Sequence, residues 1–297
     1  MELVLKTEDV VKKYLGKTVL NKINMTVNKG DIYGFIGKNG AGKTTLMRVI
    51  LSLTKANRGS VSFWDNKSID EVGLKVGSLI EAPGFYKNET AYENLKRFSI
   101  LYGCDESKIE GILKTVGLSD TGKKKVKDFS LGMKQRLGIG IALLNDPEFL
   151  ILDEPINGLD PEGIKEIRDI IIKLNKEKNI TFLISSHLLD ELSKIATKYG
   201  IINEGVLVEE ISASELKEKC KSKLIVECDD KKLAKELLSK MINEEKIIVN
   251  KTNIEIHDLK IKPSIINKEL VSNGVLVDFI YNSSDSLEEY FLQRMGN

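Results

Sequence analysis

Short apolar runs separated by polar residues occupy the start of the chain and predict β-structure. Residues 3–5 begin one strand. Residues 18–20 and 23–27 indicate two more strands, because the polar pair Asn21 and Lys22 lies between them. The pattern therefore predicts several short strands before the first helix.

A polar turn and a glycine-rich segment follow these strands. Residues 28–31 carry the turn signal Asn-Lys-Gly-Asp, and residues 32–36 form a short apolar strand that leads into glycines. Residues 45–54 then place apolar side chains along one side of a predicted helix. A glycine-rich loop between a strand and a helix is the context in which a phosphate-binding loop is expected.

Helical spacing dominates residues 90–143, and strands return after it. The predicted helices there are 91–102, 107–116 and 133–144. Residues 149–152 and 181–185 are short, continuous apolar runs, which is typical of strands that are buried on both faces. An amphipathic helix at residues 162–178 separates them. This alternation predicts an α/β fold with a parallel sheet and crossover helices.

The pattern changes near residue 212. Residues 212–223 are lysine-rich and amphipathic, and we interpret them as a linker. After it the pattern predicts β-α-β-β-α-β at residues 224–228, 231–242, 246–249, 253–257, 264–272 and 274–281, with a last helix at 286–295. That order is typical of a ferredoxin-like unit. We therefore expect a first domain at 1–212 and a small α+β domain at 213–297.

Opposite charges nearly balance, because 45 Lys and Arg oppose 44 Asp and Glu and leave a net charge of +1 on 297 residues. This balance gives no reason to propose nucleic acid as a partner. The three cysteines form no C-x-x-C pair, so we expect no disulfide framework or zinc site, and a reducing cytosol fits best. We see no signal peptide and no apolar run of roughly 20 residues, the length that crosses a bilayer. A role at a membrane would therefore require another chain to supply the membrane part.

The glycine-rich segment matches the phosphate-binding pattern G-x-x-x-x-G-K-[ST]. Glycines let backbone N–H groups close around phosphates, and a helix N-terminus adds a favourable dipole. Lys43 is expected to reach the β- and γ-phosphates of ATP, and the Thr44 hydroxyl is expected to bind Mg²⁺. A plain glycine turn before a helix is the alternative. The candidate nucleotide-binding residues of this loop are Gly37, Asn39, Gly40, Ala41, Gly42, Lys43, Thr44 and Thr45.

Two carboxylates, Asp153 and Glu154, directly follow the apolar run at residues 149–152. Ligands bind at the carboxyl edge of parallel sheets. Asp153 can therefore hold Mg²⁺, directly or through water, and Glu154 can act as the general base towards an attacking water. The alternative is a solvated pair of acids without a chemical role.

A third motif, Phe-Ser-Leu-Gly-Met-Lys-Gln-Arg at residues 129–136, opens a predicted helix. It resembles the L-S-G-G-Q signature of ABC (ATP-binding cassette) ATPases, with Leu131 and Met133 as departures. The resemblance implies that Ser130 and Gly132 contact a γ-phosphate, since a helix N-terminus suits an anion. For Ser130 alone, a simple helix cap is the alternative.

The remaining motifs of this family fall in order along the chain. Asp160 resembles the D-loop aspartate, His187 resembles the switch histidine that contacts the γ-phosphate, and Tyr14 stands where the family places an aromatic ring on adenine. Glu81 occupies the position at which the family usually has a glutamine, and we expect it to take over that role near Mg²⁺. A packed surface tyrosine and a drifted position without meaning are the alternatives for Tyr14 and Glu81. The resemblance implies a catalytic set of Lys43, Glu154 and His187 and a metal set of Thr44, Asp153 and Glu81.

With a glutamate at position 81 and the string S-L-G-M-K-Q-R in the signature, the chain resembles the bacitracin and lantibiotic exporter group within this family. The resemblance implies an ATP-hydrolysing subunit that uses ATP and Mg²⁺, pairs with a second copy or a related ATPase chain, and drives a separate integral membrane permease. It also implies a cytoplasmic protein on the inner face of the membrane, whose permease exports a peptide antibiotic or similar amphiphile. Residues 85–95 are expected to face the permease, or else form an ordinary surface loop. A soluble ABC ATPase and a nucleotide-binding regulator are the competing functions.

Overall fold

The structure is a computed structural model that describes residues 2–81, 84–220, 223–257, 261–283 and 287–295. The chain folds into two compact units. The larger unit comprises Met1–Ala213 and Phe291–Asn297, and the smaller unit comprises Ser214–Tyr290. The predicted boundary after residue 212 lies beside the first of these divisions, but residues 291–297 group with the larger unit.

The strands and helices alternate along most of the chain. In order, the strands are β1 (Leu3–Tyr14), β2 (Lys17–Asn28), β3 (Ile32–Ile36), β4 (Arg58–Phe63), β5 (Val76–Leu79), β6 (Phe149–Asp153), β7 (Thr181–Ser186), β8 (Lys198–Asn203), β9 (Val206–Ser212), β10 (Lys223–Cys228), β11 (Ile247–Val249), β12 (Ile254–His257) and β13 (Val277–Ser283). The α-helices are α1 (Lys43–Ile50), α2 (Ile69–Val72), α3 (Ala91–Tyr102), α4 (Ile109–Thr115), α5 (Leu131–Ala142), α6 (Pro161–Lys178), α7 (Leu189–Ser193), α8 (Ala213–Lys219), α9 (Lys231–Ser239), α10 (Pro263–Ser272) and α11 (Leu287–Arg294). Short 3₁₀ turns lie at Gly73–Lys75, Glu106–Lys108, Ser119–Thr121, Val126–Asp128 and Glu244–Lys246.

A six-stranded sheet in the order β5-β6-β7-β3-β8-β9 forms the centre of the larger unit. Its first five strands are parallel, and β9 returns antiparallel to β8. All residues of β3, β6 and β7 are buried, as expected for continuous apolar runs covered on both faces. The predicted parallel sheet is confirmed, and the carboxyl ends of β3, β6 and β7 meet at one edge.

A second sheet of the larger unit is antiparallel, in the order β2-β1-β4. Residues 18–20 and 23–27 both lie in β2, so the predicted separation into two strands is wrong. Lys22 adopts a φ of +51°, and the Asn24 side-chain oxygen accepts the Asp9 backbone N–H at 2.8 Å. Asn21 and Lys22 therefore do not form a turn. They lie in an irregular part of one long strand, where the register with β1 shifts.

Two helices begin earlier than the apolar pattern predicts. Helix α1 spans Lys43–Ile50 instead of 45–54, and it ends early because Ser52 adopts a φ of +55° that cannot continue a helix. Helix α5 begins at Leu131 because the Ser130 hydroxyl accepts the backbone N–H of Met133 at 3.2 Å. Backbone conformation at the end of α1 and a capping side chain at the start of α5 set these boundaries, and the spacing of apolar residues records neither.

The smaller unit contains an antiparallel sheet in the order β11-β12-β10-β13. Along the chain its elements run β10-α9-β11-β12-α10-β13, that is β-α-β-β-α-β. One face of the sheet packs on the two helices through a core that includes Leu224, Val226, Leu238, Ile256 and Leu270. Parts of the predicted linker (221–222) and of the predicted last helix (286) lie outside the described residues.

Among the described residues, no helix combines the length and the apolar character that crossing a bilayer requires.

Candidate nucleotide-binding site

The glycine-rich loop connects the end of β3 to the start of α1. Gly40 and Gly42 adopt φ angles of +82° and +112°, which residues other than glycine rarely adopt. A Cβ atom on Gly37 would lie 2.5 Å from the Ile202 carbonyl oxygen, and one on Gly42 would lie 2.9 Å from Leu20 Cδ2. Glycine is therefore required here by packing and by backbone conformation, and the loop presents its backbone at the helix N-terminus.

The Lys43 side chain is buried within this loop, with 6% of its surface exposed. Its Nζ donates to the Gly37 carbonyl oxygen at 2.6 Å and to that of Lys38 at 3.4 Å. It also lies 3.2 Å from Glu154 Oε1. A buried ammonium group thus sits between the loop backbone and a carboxylate. Of the other loop residues, Ala41 is buried, Asn39 is exposed, and Thr44 and Thr45 are half-buried in the first turn of α1.

The two predicted carboxylates lie at the carboxyl end of β6 and are tied to β7. Ser185 Oγ accepts the backbone N–H of Glu154 at 2.8 Å and donates to Asp153 Oδ1 at 2.5 Å. Glu154 adopts a φ of +48°, an uncommon conformation for a residue with a side chain. His187 Nδ1 lies 2.8 Å from Glu154 Oε2. The structure therefore brings together Lys43, Asp153, Glu154 and His187.

One oxygen of Glu154 has spare acceptor capacity. Glu154 Oε1 is buried and makes no hydrogen bond of good geometry, although it lies within ion-pair distance of Lys43 Nζ. Buried polar atoms without a hydrogen-bond partner are uncommon in folded proteins, and they often mark a functional group. This oxygen can accept a proton or a hydrogen bond from a small molecule that enters the site.

A second group of predicted residues meets where α5 and α6 begin. Ser130 caps α5, and the Asp160 side chain caps α6 by accepting the Gly163 backbone N–H at 3.0 Å. A Cβ on Gly132 would have Gly163 Cα and a Leu159 methyl group as its nearest neighbours, both at 3.8 Å. The signature and D-loop segments therefore lie side by side, and Gly132 is not required by packing within the chain.

Tyr14 and Glu81 each contact a basic side chain: Lys12 beside the Tyr14 ring and Arg48 beside Glu81. Tyr14 ends β1, is 42% exposed, and has Lys12 Nζ 4.7 Å from its ring centroid. Glu81 adopts a φ of +60° and forms an ion pair with Arg48 of α1. Its carboxylate is thus engaged by a cation, whereas its predicted place is near Mg²⁺; that assignment stays a prediction.

Ser185 is the residue that sequence reasoning missed. Its signal was present, because Ser185 precedes His187 by two residues at the end of a predicted strand. Its function becomes visible only through the register of the sheet, in which Ser185 is the direct partner of Asp153.

Comparison with known proteins shows the family to which the chain belongs. The bacitracin transport ATP-binding protein BcrA of Enterococcus faecalis is 44% identical over 300 residues, which cover 100% of this chain and 97% of that protein. This chain belongs to the ABC transporter ATP-binding family. The profile of the family described as ABC transporter matches residues 20–157. The lantibiotic transport ATP-binding protein SrtF of Streptococcus pyogenes is 45% identical over 218 residues, covering 71% of this chain and 93% of its own.

Solved structures of the family share the fold. The ADP conformation of MJ1267, an ATP-binding cassette of an ABC transporter, superposes with a TM-score of 0.66 at 29% identity. The match covers 72% of this chain and 93% of that structure. This ABC protein is thus the nucleotide-binding subunit of a transporter and an ATPase whose activity is coupled to transport, and its relatives include bacitracin and lantibiotic transport ATP-binding proteins.

Proposed function

We propose that this ABC ATPase hydrolyses ATP with Glu154 as the general base and powers the export of a peptide antibiotic through a separate permease. The observation that carries the catalytic part is the position of Glu154. Its carboxylate lies between Lys43 Nζ and His187 Nδ1 at the carboxyl edge of the sheet, and one buried oxygen lacks a hydrogen bond. A carboxylate so placed can take the proton of an attacking water.

The loop and Lys43 would hold the phosphates. The loop backbone at the N-terminus of α1 suits an anion, and Thr45 lies in the first turn of the same helix. The Ala41 N–H donates to the Lys38 carbonyl at 3.1 Å and would exchange it for a phosphate oxygen. Lys43 would exchange the Gly37 carbonyl for oxygens of the β- and γ-phosphates. We assign the exposed ring of Tyr14 to stacking on adenine, a contact that Lys12 at one ring face would flank.

The oxygen donors at the site fit Mg²⁺. Among the described residues, no group of three or more His, Cys, Asp and Glu side chains could hold a metal alone. A magnesium ion bound with a nucleotide needs only one or two protein oxygens, and Thr44 and Asp153 offer a hydroxyl and a carboxylate. Bound there, Mg²⁺ would offset negative charge on the phosphates. Glu81 is a further oxygen donor, but it would have to leave Arg48 to take part.

We further propose that two copies, or this chain and a related one, enclose ATP between them. Ser130, Gly132 and Asp160 would complete the nucleotide site of the opposite subunit. The support is that a Cβ on Gly132 would meet its nearest neighbours only at ordinary van der Waals distance, 3.8 Å, so packing within the chain does not demand glycine there. A ligand that approaches the backbone closely would demand it. His187 would touch the γ-phosphate through Nε2 while Nδ1 keeps Glu154 in place.

The test of the catalytic proposal is Glu154→Gln in the full chain. We expect the variant to bind ATP as the parent does and to hydrolyse it about 10²–10⁴-fold more slowly, because the proton acceptor is lost. We also expect it to accumulate as an ATP-dependent dimer in size-exclusion chromatography with light scattering. Lys43→Ala is the control, which should lose nucleotide affinity and therefore form no such dimer. Turnover at the parent rate by Glu154→Gln would refute the assignment of the base.

The permease is expected to contact the segment at residues 85–95. Tyr86 is 49% exposed, its ring lies 6.3 Å from that of Phe98, and Arg97 lies 4.7 Å from its centroid. Further along α3, Ile100 and Leu101 are more than two-thirds exposed, at 71% and 73%. An exposed apolar and aromatic surface of this kind favours a protein partner. In a membrane transporter, that partner would hold this chain at the inner face of the membrane.

The double substitution Phe85→Ala and Tyr86→Ala tests this docking surface. We expect it to reduce co-purification with the permease at least tenfold and to leave ATP binding by the isolated chain unchanged. The matched control is Phe279→Ala with Tyr281→Ala, which removes two exposed aromatic rings from the smaller unit. Unchanged assembly of the Phe85 and Tyr86 variant would rule out docking at this segment.

A further inference from the structure

Ser185 joins the two consecutive carboxylate residues of the site through one hydroxyl group. Its Oγ lies 2.5 Å from Asp153 Oδ1 and 2.8 Å from the backbone nitrogen of Glu154. Ser185 is completely buried, and 9% of Asp153 is exposed. The pairing is set by the sheet, because Asp153 of β6 and Ser185 of β7 are direct partners in the parallel register.

The direction of both hydrogen bonds follows from the groups involved. The Glu154 amide can only donate, so the Ser185 oxygen accepts from it. The hydroxyl proton is then available for Asp153, whose ionised carboxylate can only accept. A hydroxyl that donates to a carboxylate at this distance forms a charge-assisted hydrogen bond, which is stronger than one between neutral groups.

The hydroxyl also supports an uncommon backbone conformation. Glu154 adopts a φ of +48°, and such conformations persist at functional sites only where the surroundings hold them. The hydrogen bond from the Glu154 amide to Ser185 is such a restraint. Without it, the amide would be left without that acceptor at a largely buried position, and the peptide could rotate.

We propose that Ser185 is a positioning residue for ATP hydrolysis, which holds Asp153 and Glu154 in their productive orientations through its single hydroxyl. This inference rests on the roles proposed above for these two acids. By engaging Oδ1, Ser185 leaves the other oxygen of Asp153 for the metal that accompanies the nucleotide. By fixing the Glu154 backbone, it directs the carboxylate of that residue towards Lys43 and His187.

The test compares Ser185→Ala with Thr181→Ala in the full chain. Thr181 is an internal match, because it is also completely buried in β7 and its Oγ1 accepts a backbone N–H, that of Gly30, at 3.0 Å. It lies four residues earlier, about 13 Å from Ser185 along the strand. Both variants lose a buried hydroxyl acceptor, but only Ser185→Ala loses it beside the carboxylates.

Two measurements separate positioning from stability. The first is steady-state ATP hydrolysis, in which we expect Ser185→Ala to lower kcat about 10–100-fold with KM for ATP changed less than about threefold. The second is the affinity for ATPγS by calorimetry, with Mg²⁺ and with EDTA. We expect Ser185→Ala to bind ATPγS about tenfold more weakly than the parent in the presence of Mg²⁺ and as tightly as the parent in EDTA. Thr181→Ala should retain the parent kcat per folded molecule and the parent Mg²⁺ effect.

Conservative variants keep the test informative if Ser185→Ala does not fold. Ser185→Thr keeps the hydroxyl and should restore kcat to within about fivefold of the parent wherever it folds. Ser185→Cys keeps the size but replaces the hydroxyl with a weak donor, so it should show the loss of kcat even if Ser185→Ala does not fold. Parent values of kcat and of the Mg²⁺ effect in whichever of the alanine and cysteine variants folds would overturn the proposal. So would an equal loss of kcat in Thr181→Ala.

The same assays distinguish this inference from the proposed function. Asp153→Asn and Glu154→Gln should each abolish most hydrolysis if those acids act as proposed. If they do so while the Ser185 variants behave as the parent, only the positioning inference fails. If Glu154→Gln hydrolyses ATP at the parent rate, the catalytic assignment itself fails.

Discussion

At the scale of single residues, the centre of the site is closely packed. Gly37 is buried against the Ile202 backbone, and Lys43 and Glu154 are held by several partners within a few ångströms. The nature of these residues could be predicted, because the phosphate-loop pattern and the paired acids are contiguous in sequence. The steric need for glycine at position 37 could not, because the atom that enforces it belongs to a strand far along the chain.

Gly37→Ala tests this steric requirement. The new Cβ would lie 2.5 Å from a backbone oxygen, and backbone cannot yield as a side-chain end does. We expect a loss of about 1–3 kcal/mol in unfolding free energy, typical of overpacking, and at least tenfold weaker ATP binding. Gly73→Ala is the control, since a Cβ there meets nothing within 4 Å. Equal behaviour of the two variants in denaturant titration and nucleotide binding would contradict the role assigned to packing.

At the scale of elements, capping side chains mark the start of some helices, among them α3 and α5. Helix α3 spans Ala91–Tyr102, as its helical spacing predicts, and the structure shows a capping box at its start. The Thr90 hydroxyl accepts the Glu93 backbone N–H, and the Glu93 carboxylate accepts the Thr90 backbone N–H at 2.7 Å. That last hydrogen bond is the main reason why the pKa of Glu93 is lowered from its usual value.

The lowered pKa of Glu93 makes a prediction about pH. A carboxylate whose pKa is lower in the folded state stabilises the fold above its usual pKa, and this contribution is lost as the pH falls through the folded value. Glu93→Gln keeps an acceptor but removes the charge, so it should be less stable than the parent at pH 7. The difference should vanish well below about pH 4, near the usual range for glutamate. Thermal unfolding from pH 7 to pH 3 measures it.

Glu110→Gln is the control for this experiment, because Glu110 lies in the first turn of α4 outside any capping box. Its stability relative to the parent should depend on pH less than that of Glu93→Gln. A Glu93→Gln difference that stays constant or grows towards pH 3 would contradict the proposed sign.

At the scale of the whole molecule, the last segment of the chain belongs with the larger unit. Phe291 is completely buried and packs edge-on against Tyr199 of β8, with ring centroids 5.7 Å apart. Arg294 pairs with Glu209 of β9 at 3.0 Å. The sequence pattern assigns all of residues 213–297 to one small domain. The apolar spacing of the last helix does not reveal which surface that helix covers, so the pattern could not assign its end to the larger unit.

Phe291→Ala tests this assignment. Loss of a fully buried phenylalanine costs about 3–5 kcal/mol, and we expect the larger unit to lose stability by that amount. Phe279→Ala removes the same side chain from a position that is 62% exposed and should change stability by no more than about 0.5 kcal/mol. Chemical unfolding monitored by circular dichroism compares the two. Equal losses would show that Phe291 does not anchor this segment.

The chemistry of the site follows from the amino-acid sequence alone wherever the functional residues are neighbours in the chain. The loop from Gly37 to Thr44 and the pair Asp153 and Glu154 could be interpreted without a fold, because covalent bonds keep their spacing. Which distant groups meet them depends on the tertiary structure. Ser185 reaches Asp153 across 32 residues, and Lys43 reaches Glu154, since parallel pairing of β6 with β7 and of β7 with β3 aligns their carboxyl ends. Strand order depends on packing over the whole sheet, and no local pattern records it.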